Sequence, residues 1–158
     1  MKQFSIARRA TLLLSVALLT ACASGVKLDD VAGKGGTDYS SQPWNDPKSP
    51  LFKRSVYFDF DSYAVKAEYQ ATLQAHANYL KSNKDRKIKI EGNTGERGTT
   101  EYTLALGQRR SEAVRKSLSL LGVPDSQMEA VSFGKEKPKA QGSNEAAWQE
   151  NRRADIAY

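Results

Sequence analysis

The chain has one cysteine and one histidine in 158 residues, and both shortages exclude chemistry. A lone cysteine closes no internal disulfide, and a lone histidine builds no multi-histidine metal site. No Gly-x-x-x-x-Gly-Lys-Ser/Thr segment is present to cradle phosphates. Long hydrophobic runs are missing too. The apolar stretch from Ala10 to Ala21 is twelve residues, too short for a bilayer core of about 30 Å, which takes about 20 helical residues. The net charge of +6 is partly an effect of the first segment. Lys2, Arg8 and Arg9 lie in residues 1–21 with no acid, so the rest of the chain holds 21 of the 24 basic residues against 18 acidic ones. An excess of about +3 is ordinary for a soluble domain and gives no reason to expect a nucleic-acid partner.

A basic stub followed by a short apolar run has the layout of a bacterial secretory signal peptide over residues 1–21. The run ends in Leu19-Thr20-Ala21-Cys22, which resembles the lipobox of bacterial lipoproteins. That resemblance implies cleavage before Cys22, a thioether-linked diacylglycerol on its sulfur and acylation of the new amino group. An ordinary cleavage site beside a chance cysteine is the alternative. Several acyl chains give the stable attachment that one chain does not. Ala23 follows the cysteine, where an aspartate would resemble an inner-membrane retention signal. By resemblance to enterobacterial sorting, its absence implies the outer membrane, with the rest of the chain facing the periplasm.

Residues 22–50 are expected to form the lipidated cysteine and a flexible tether. Residues 23–50 hold four glycines and three prolines and no apolar period. Such a segment has a root-mean-square reach of roughly 30 Å and a stretched limit of roughly 90–100 Å. Packing of Tyr39 and Trp44 onto the domain would shorten it.

Residues 51–158 carry the folded pattern. Ser55 to Asp61 is rich in strand formers. Val65, Tyr69, Leu73, His76 and Leu80 then recur at spacings of three and four, predicting a helix over about 63–82. Lys87 to Glu91 alternates as a half-buried strand, followed by a polar loop at residues 92–98. A second helix is expected over about 101–121, stopped by Gly122-Val123-Pro124. Met128–Phe133 predicts a third strand, Asn144–Asn151 a short helix and Ala154–Tyr158 a closing strand. The order β-α-β-α-β-(α)-β predicts a two-layer α/β sandwich, with helices mainly on one face of a mixed sheet.

Arg110 is the residue out of place. It stands four positions after Leu106 and four before Val114, in line with the apolar stripe of the second helix. An unpaired buried charge costs several kcal/mol, so its partner is either an internal carboxylate or a bound one. Arg109 beside it is expected to be exposed. Arg152 and Arg153 enter the last strand, where alternation sends them to opposite faces, one of them towards the cleft of Arg110. His76, on the stripe of the first helix, is expected to be a buried structural histidine bonded to backbone. With it set aside and Cys22 spent on lipid, no histidine-based nucleophilic constellation remains. Asp59 and Asp61, two apart on the first strand, share a face and are the one candidate acid–base pair for a lipid-anchored cell-wall hydrolase.

Tyr57-Phe58-Asp59-Phe60-Asp61, Glu91 to Thr99, Glu101-Tyr102, Leu104 to Arg110 and Asn151-Arg152-Arg153 together resemble the OmpA-like carboxy-terminal domain family. The Leu104–Arg110 run and Glu145-Ala146-Ala147-Trp148 resemble in particular its peptidoglycan-associated lipoproteins, the Tol-Pal branch. The resemblance implies no enzyme and no cofactor. It implies instead non-covalent binding of the peptidoglycan stem peptide through diaminopimelate, whose free end carries an ammonium and a carboxylate. It places an arginine at Arg110 on that carboxylate, Phe60 and Asp61 in the same pocket, and Arg153 as its closure. It also implies a periplasmic partner, TolB, on an overlapping surface, and a role in drawing the outer membrane inward at division. Two positions depart from the pattern. Gly95 stands where the family's loop has the aspartate that accepts the ammonium, and Thr103 stands where asparagine usually follows Glu-Tyr. A weakened grip on peptidoglycan is expected, unless Glu96 swings in as a substitute.

Overall fold

The computed structural model describes residues 42–158, so Cys22, the signal segment and most of the tether lie outside the described residues. Four strands, β1 (Ser55–Tyr57), β2 (Ile88–Asn93), β3 (Met128–Gly134) and β4 (Arg153–Ala157), alternate with three helices. These are α1 (Gln70–Ser82), α2 (Thr100–Leu120) and α3 (Glu145–Asn151). The strand order is β1-β4-β2-β3. β4 pairs antiparallel with both β1 and β2, while β2 and β3 run parallel. The sheet is therefore mixed, as the element order predicts.

Strand alternation decides which face is covered. Val56, Ile88, Ile90, Met128, Ala154 and Ile156 meet Leu73, Ala77 and Leu80 of α1 and Val114 and Leu118 of α2 in one apolar cluster. Lys89 and Glu129, between the buried positions, are exposed. α2 lies hard against the sheet because two glycines meet there. A Cβ on Gly92 would stand 1.8 Å from the Gly107 carbonyl oxygen, and one on Gly107 would stand 2.3 Å from Ser132 Oγ. The mid-helix glycine, a weak helix former, is required by that approach.

The ends of α2 follow local rules. Thr99 Oγ1 caps the start by accepting from the Tyr102 N–H at 3.2 Å. At the other end Gly122 takes φ +93°, and Val123, 2% exposed, folds back to donate its N–H to the Leu118 carbonyl at 3.1 Å. α3 is capped by Asn144, whose side chain accepts from the Ala147 N–H at 3.0 Å.

β2 runs to Asn93, two residues into the expected polar loop, and three boundaries differ from the sequence expectation by more. The first strand ends at Tyr57 rather than Asp61, and α1 begins at Gln70 after a 3₁₀ turn at Ala67–Tyr69 rather than at residue 63. The cause is distant in sequence. The Asp59 and Ser62 carbonyls turn to the Arg110 guanidinium, and Asp61 takes φ +50° to allow it. The tether expected to run to residue 50 is shorter. Trp44 is 7% exposed, stacked on Tyr158 with ring centroids 4.3 Å apart and edge-on to Tyr79. Tyr39 lies outside the described residues.

His76 completes that end of the molecule. Its Nε2 lies 2.9 Å from the Lys53 carbonyl oxygen, so Nε2 carries the proton and donates, and Nδ1 accepts from the Tyr158 hydroxyl at 2.7 Å. Burial holds its pKa below the ordinary value, which keeps the ring neutral. It is the structural histidine expected, with every ring nitrogen occupied.

Candidate functional site

At the opposite end of the sheet the chain leaves β1 and β2 and enters α2 and β4, and these crossings enclose a cleft of about 210 Å³. Arg110 forms its floor, with no solvent exposure. Among the described residues no carboxylate pairs with it. Its Nε donates to the Ser62 carbonyl at 2.9 Å, one terminal nitrogen to the Asn93 carbonyl at 2.9 Å and the other to the Asp59 carbonyl at 3.2 Å. The face of Phe58 stands 5.3 Å from the guanidinium carbon. A guanidinium has five N–H bonds, so among the described residues these three leave two, one on each terminal nitrogen. Burial and then the neighbouring positive charge of Arg152 lower the Arg110 pKa to about 10, so it stays protonated at neutral pH.

Arg152 lines the cleft as well. It donates to the Phe58 carbonyl at 3.2 Å and to Glu145 Oε1 at 2.7 Å. A third guanidinium, Arg97, stacks 3.7 Å over the half-buried Trp148 ring. The walls are aromatic: Trp148, Tyr102 and Phe60, the last 69% exposed at the rim. The Tyr102 hydroxyl donates to Asp61, the one acid among the described residues that line the cleft. The loop between β2 and α2 forms the remaining side. Gly98, at φ +109°, has the Tyr102 ring where a Cβ would stand 2.7 Å away, so this turn demands glycine. Such a cleft suits a small ligand with apolar carbons and an acidic terminus. Among the described residues no group of His, Cys, Asp and Glu is arranged to hold a metal ion.

The OmpA family model matches residues 57–152, a span that includes every residue lining the cleft. The chain is 46% identical over 144 residues to a peptidoglycan-associated lipoprotein of Pasteurella multocida, covering 91% of this chain and 92% of that one. It is 44% identical over 152 residues to the Haemophilus influenzae protein of the same name, again covering 91% and 92%. The crystal structure of the peptidoglycan-associated lipoprotein from Burkholderia pseudomallei superposes with TM-score 0.72 at 69% identity, covering 74% of this chain and 99% of that one. The chain belongs to the OmpA family, among its peptidoglycan-associated lipoproteins. The C-terminal domain of Helicobacter pylori MotB, at 22% identity and TM-score 0.59 over 65% of this chain and 81% of that one, shares the fold.

Within this member of the OmpA family, Phe60, Asp61, Gly95 and Arg110 come together in the cleft as the motifs imply. Arg153 does not. It points to the other face of the sheet, 4% exposed, where Nε donates to Asp155 Oδ2 at 2.8 Å and one terminal nitrogen to the Lys137 carbonyl at 3.3 Å. Its neighbour Arg152 takes the place in the cleft, because adjacent residues entering a strand face opposite ways. Thr103 also lies outside the lining. It is 1% exposed, and its hydroxyl donates back to the Thr100 carbonyl at 3.0 Å. Glu96 has not swung in. It is exposed, and its carboxylate accepts from Trp148 Nε1 and Ser143 Oγ, both at 3.0 Å. Those bonds hold its pKa low.

The acid–base pair proposed from strand alternation is not assembled. β1 has ended before Asp59, which is exposed and paired with Lys66 at 2.7 Å, while Asp61 alone reaches the cleft. The carboxylate partner expected for Arg110 is replaced by three carbonyls. Alternation leaves open which of Arg152 and Arg153 faces the cleft, and Arg97, Tyr102 and Trp148 carry no individual signal in the sequence that places them there. Tyr102 and Trp148 belong to the motifs that carry the family resemblance, and that was the one signal pointing to them.

Proposed function

We propose that the chain is an outer-membrane lipoprotein, anchored through acylated Cys22, whose periplasmic domain binds the peptidoglycan stem peptide non-covalently. The observation that carries this reading is the buried Arg110 at the floor of an aromatic-walled cleft, held by carbonyls with two N–H bonds in excess. Its relatives are named for association with peptidoglycan. The free end of diaminopimelate fits the same chemistry: its carboxylate meets Arg110, its carbon chain meets Tyr102 and Trp148, and its ammonium meets Asp61. The domain acts as a binding module without catalysis, since one cleft carboxylate supplies no acid–base pair. TolB is the expected protein partner, and a tether joining membrane to wall accounts for a part in envelope integrity and cell division.

Gly95 weakens the grip on the ammonium. A charge-assisted hydrogen bond contributes about 1.5–3 kcal/mol, and glycine has no side chain to make it. The full chain in detergent, sedimented with purified peptidoglycan, tests the function. It co-sediments, Gly95→Asp binds more tightly, and Asp61→Ala binds less. Absence of binding by both the parent and Gly95→Asp would exclude the wall as ligand.

A further inference from the structure

The net charge of the domain is gathered at the pole opposite the cleft. Residues 42–158 hold 19 basic and 15 acidic side chains, a net of +4. β1 and β2 begin at that far pole and β4 ends there, so it also receives the segment before β1 and the turn between α1 and β2. Residues 81–89 contain five basic side chains and one acid, and residues 42–54 contain three and one. Of these eight cations only Lys89 is in an ion pair among the described residues, with Glu129 at 3.8 Å. Asp125, on the turn that leads into β3, is taken by Arg115 at 2.8 Å. Seven unpaired cations less Asp46 and Asp85 leave an excess of five. A carboxylate on Tyr158, which lies at the same pole, would leave four. The rest of the domain, cleft included, is balanced to within one charge.

This basic pole is also where the tether joins. Trp44 is stacked on Tyr158, and the Arg86 guanidinium stands 5.0 Å over its ring. Gln42 follows Cys22 by twenty residues, at most roughly 70 Å of extended chain. An acyl anchor on Cys22 therefore ties the basic pole, not the cleft, to its bilayer. Two exposed apolar side chains lie among the cations: Phe52, next to Lys53, and Leu120, at the end of α2. A Cβ on Gly122, just beyond Leu120, would stand 3.4 Å from Lys81 Cδ. Lysines and arginines around exposed apolar groups suit a surface of acidic lipid headgroups.

Resting on the lipoprotein reading through its Cys22 anchor, we propose that the basic pole docks on anionic lipid of the membrane that holds the anchor, with the cleft turned away from it. The full acylated chain in vesicles that carry a lipid-borne energy-transfer acceptor tests this. A single dye is placed on Ser82→Cys at the pole or on Thr100→Cys at the cleft end. In phosphatidylcholine vesicles with about one third phosphatidylglycerol, transfer from residue 82 exceeds transfer from residue 100. It drops in pure phosphatidylcholine, and in about 1 M salt, where the screening length is about 3 Å. Joint Lys81→Gln, Lys84→Gln and Lys87→Gln substitution lowers it too. Each lysine near an anionic surface multiplies the docked population about fivefold, so the docked-to-free ratio falls roughly 100-fold. Transfer from residue 82 that ignores lipid charge, salt and the triple substitution overturns the proposal, as does equal approach by residue 100. Mass spectrometry of the same sample reads the acyl groups on Cys22. Acylation without charge-dependent approach refutes the docking surface and leaves the anchor standing, while charge-dependent approach by an unacylated chain does the reverse.

Discussion

His76 and Arg110 occupy equivalent positions in the sequence pattern, each a polar side chain in the apolar stripe of a helix, and both are fully buried. The fold treats them differently. At the Trp44 end His76 is neutral, and its two ring nitrogens are both used, by Tyr158 and by the Lys53 carbonyl. At the cleft end Arg110 keeps its charge and spends three of five donors on carbonyls. A buried polar group whose bonding capacity is exhausted inside the protein is structural. One with capacity left over beside a cleft is a candidate to hold a ligand. Burial alone, or a lowered pKa alone, does not distinguish them, since burial lowers both.

The strongest test removes Arg110. Arg110→Ala leaves the carbonyls of Asp59, Ser62 and Asn93 without their donor, and unmet buried polar groups cost about 1–3 kcal/mol each. A loss of about 3–5 kcal/mol in urea unfolding is expected, together with loss of peptidoglycan co-sedimentation by the molecules that remain folded. His76→Phe strands the Tyr158 hydroxyl and one carbonyl and costs about 2–3 kcal/mol, but leaves co-sedimentation of folded protein unchanged. If wall binding fell with His76→Phe, the division between the two ends would be broken.

Trp44→Ala removes the stack on Tyr158 and is expected to cost about 1–2 kcal/mol, again without effect on wall binding. The next effect is one of pH. The native pKa of His76 lies below that of the unfolded chain, near 6.5. Below about pH 6.5 the unfolded state therefore takes up a proton that the native state refuses. Its contribution is complete above that pH and is lost as pH falls towards the native value, with a slope of at most about 1.4 kcal/mol per pH unit. His76→Gln flattens that slope in unfolding curves taken from pH 7 downwards. The smallest change in stability is at the cleft. Gly95→Asp shifts the unfolding free energy by less than about 0.5 kcal/mol, because the new Cβ meets Trp148 at an ordinary distance, while it changes ligand affinity.

Much of this was legible in the residues. The period of Leu73, His76 and Leu80 placed the body of α1, Gly122-Val123 placed the end of α2, and alternation placed the buried face of β2. The isolation of Arg110 in an apolar stripe marked the cleft. These are local properties, written in spacings of two to four residues, and each element carries its own signal. The family motifs brought Phe60, Asp61 and Gly95 to the same place.

The structure alone decided the pairings between distant segments. Periodicity assigns a residue to a face but names no partner, so it could not show that Arg110 takes the carbonyls of residues 48 and 51 positions earlier. That unseen bond is why β1 ends at Tyr57 and why Asp59 and Asp61 part company. It could not separate Arg152 from Arg153 either, since a shift of one residue at the mouth of a strand exchanges the two faces. The sequence determined which segments are helix and strand and which side chain is anomalous. Tertiary contacts decided what that side chain holds, which arginines stand beside it and how much of its hydrogen-bonding capacity is left for a ligand, because those depend on groups brought together from β1, β2, α2 and α3 only when the chain has folded.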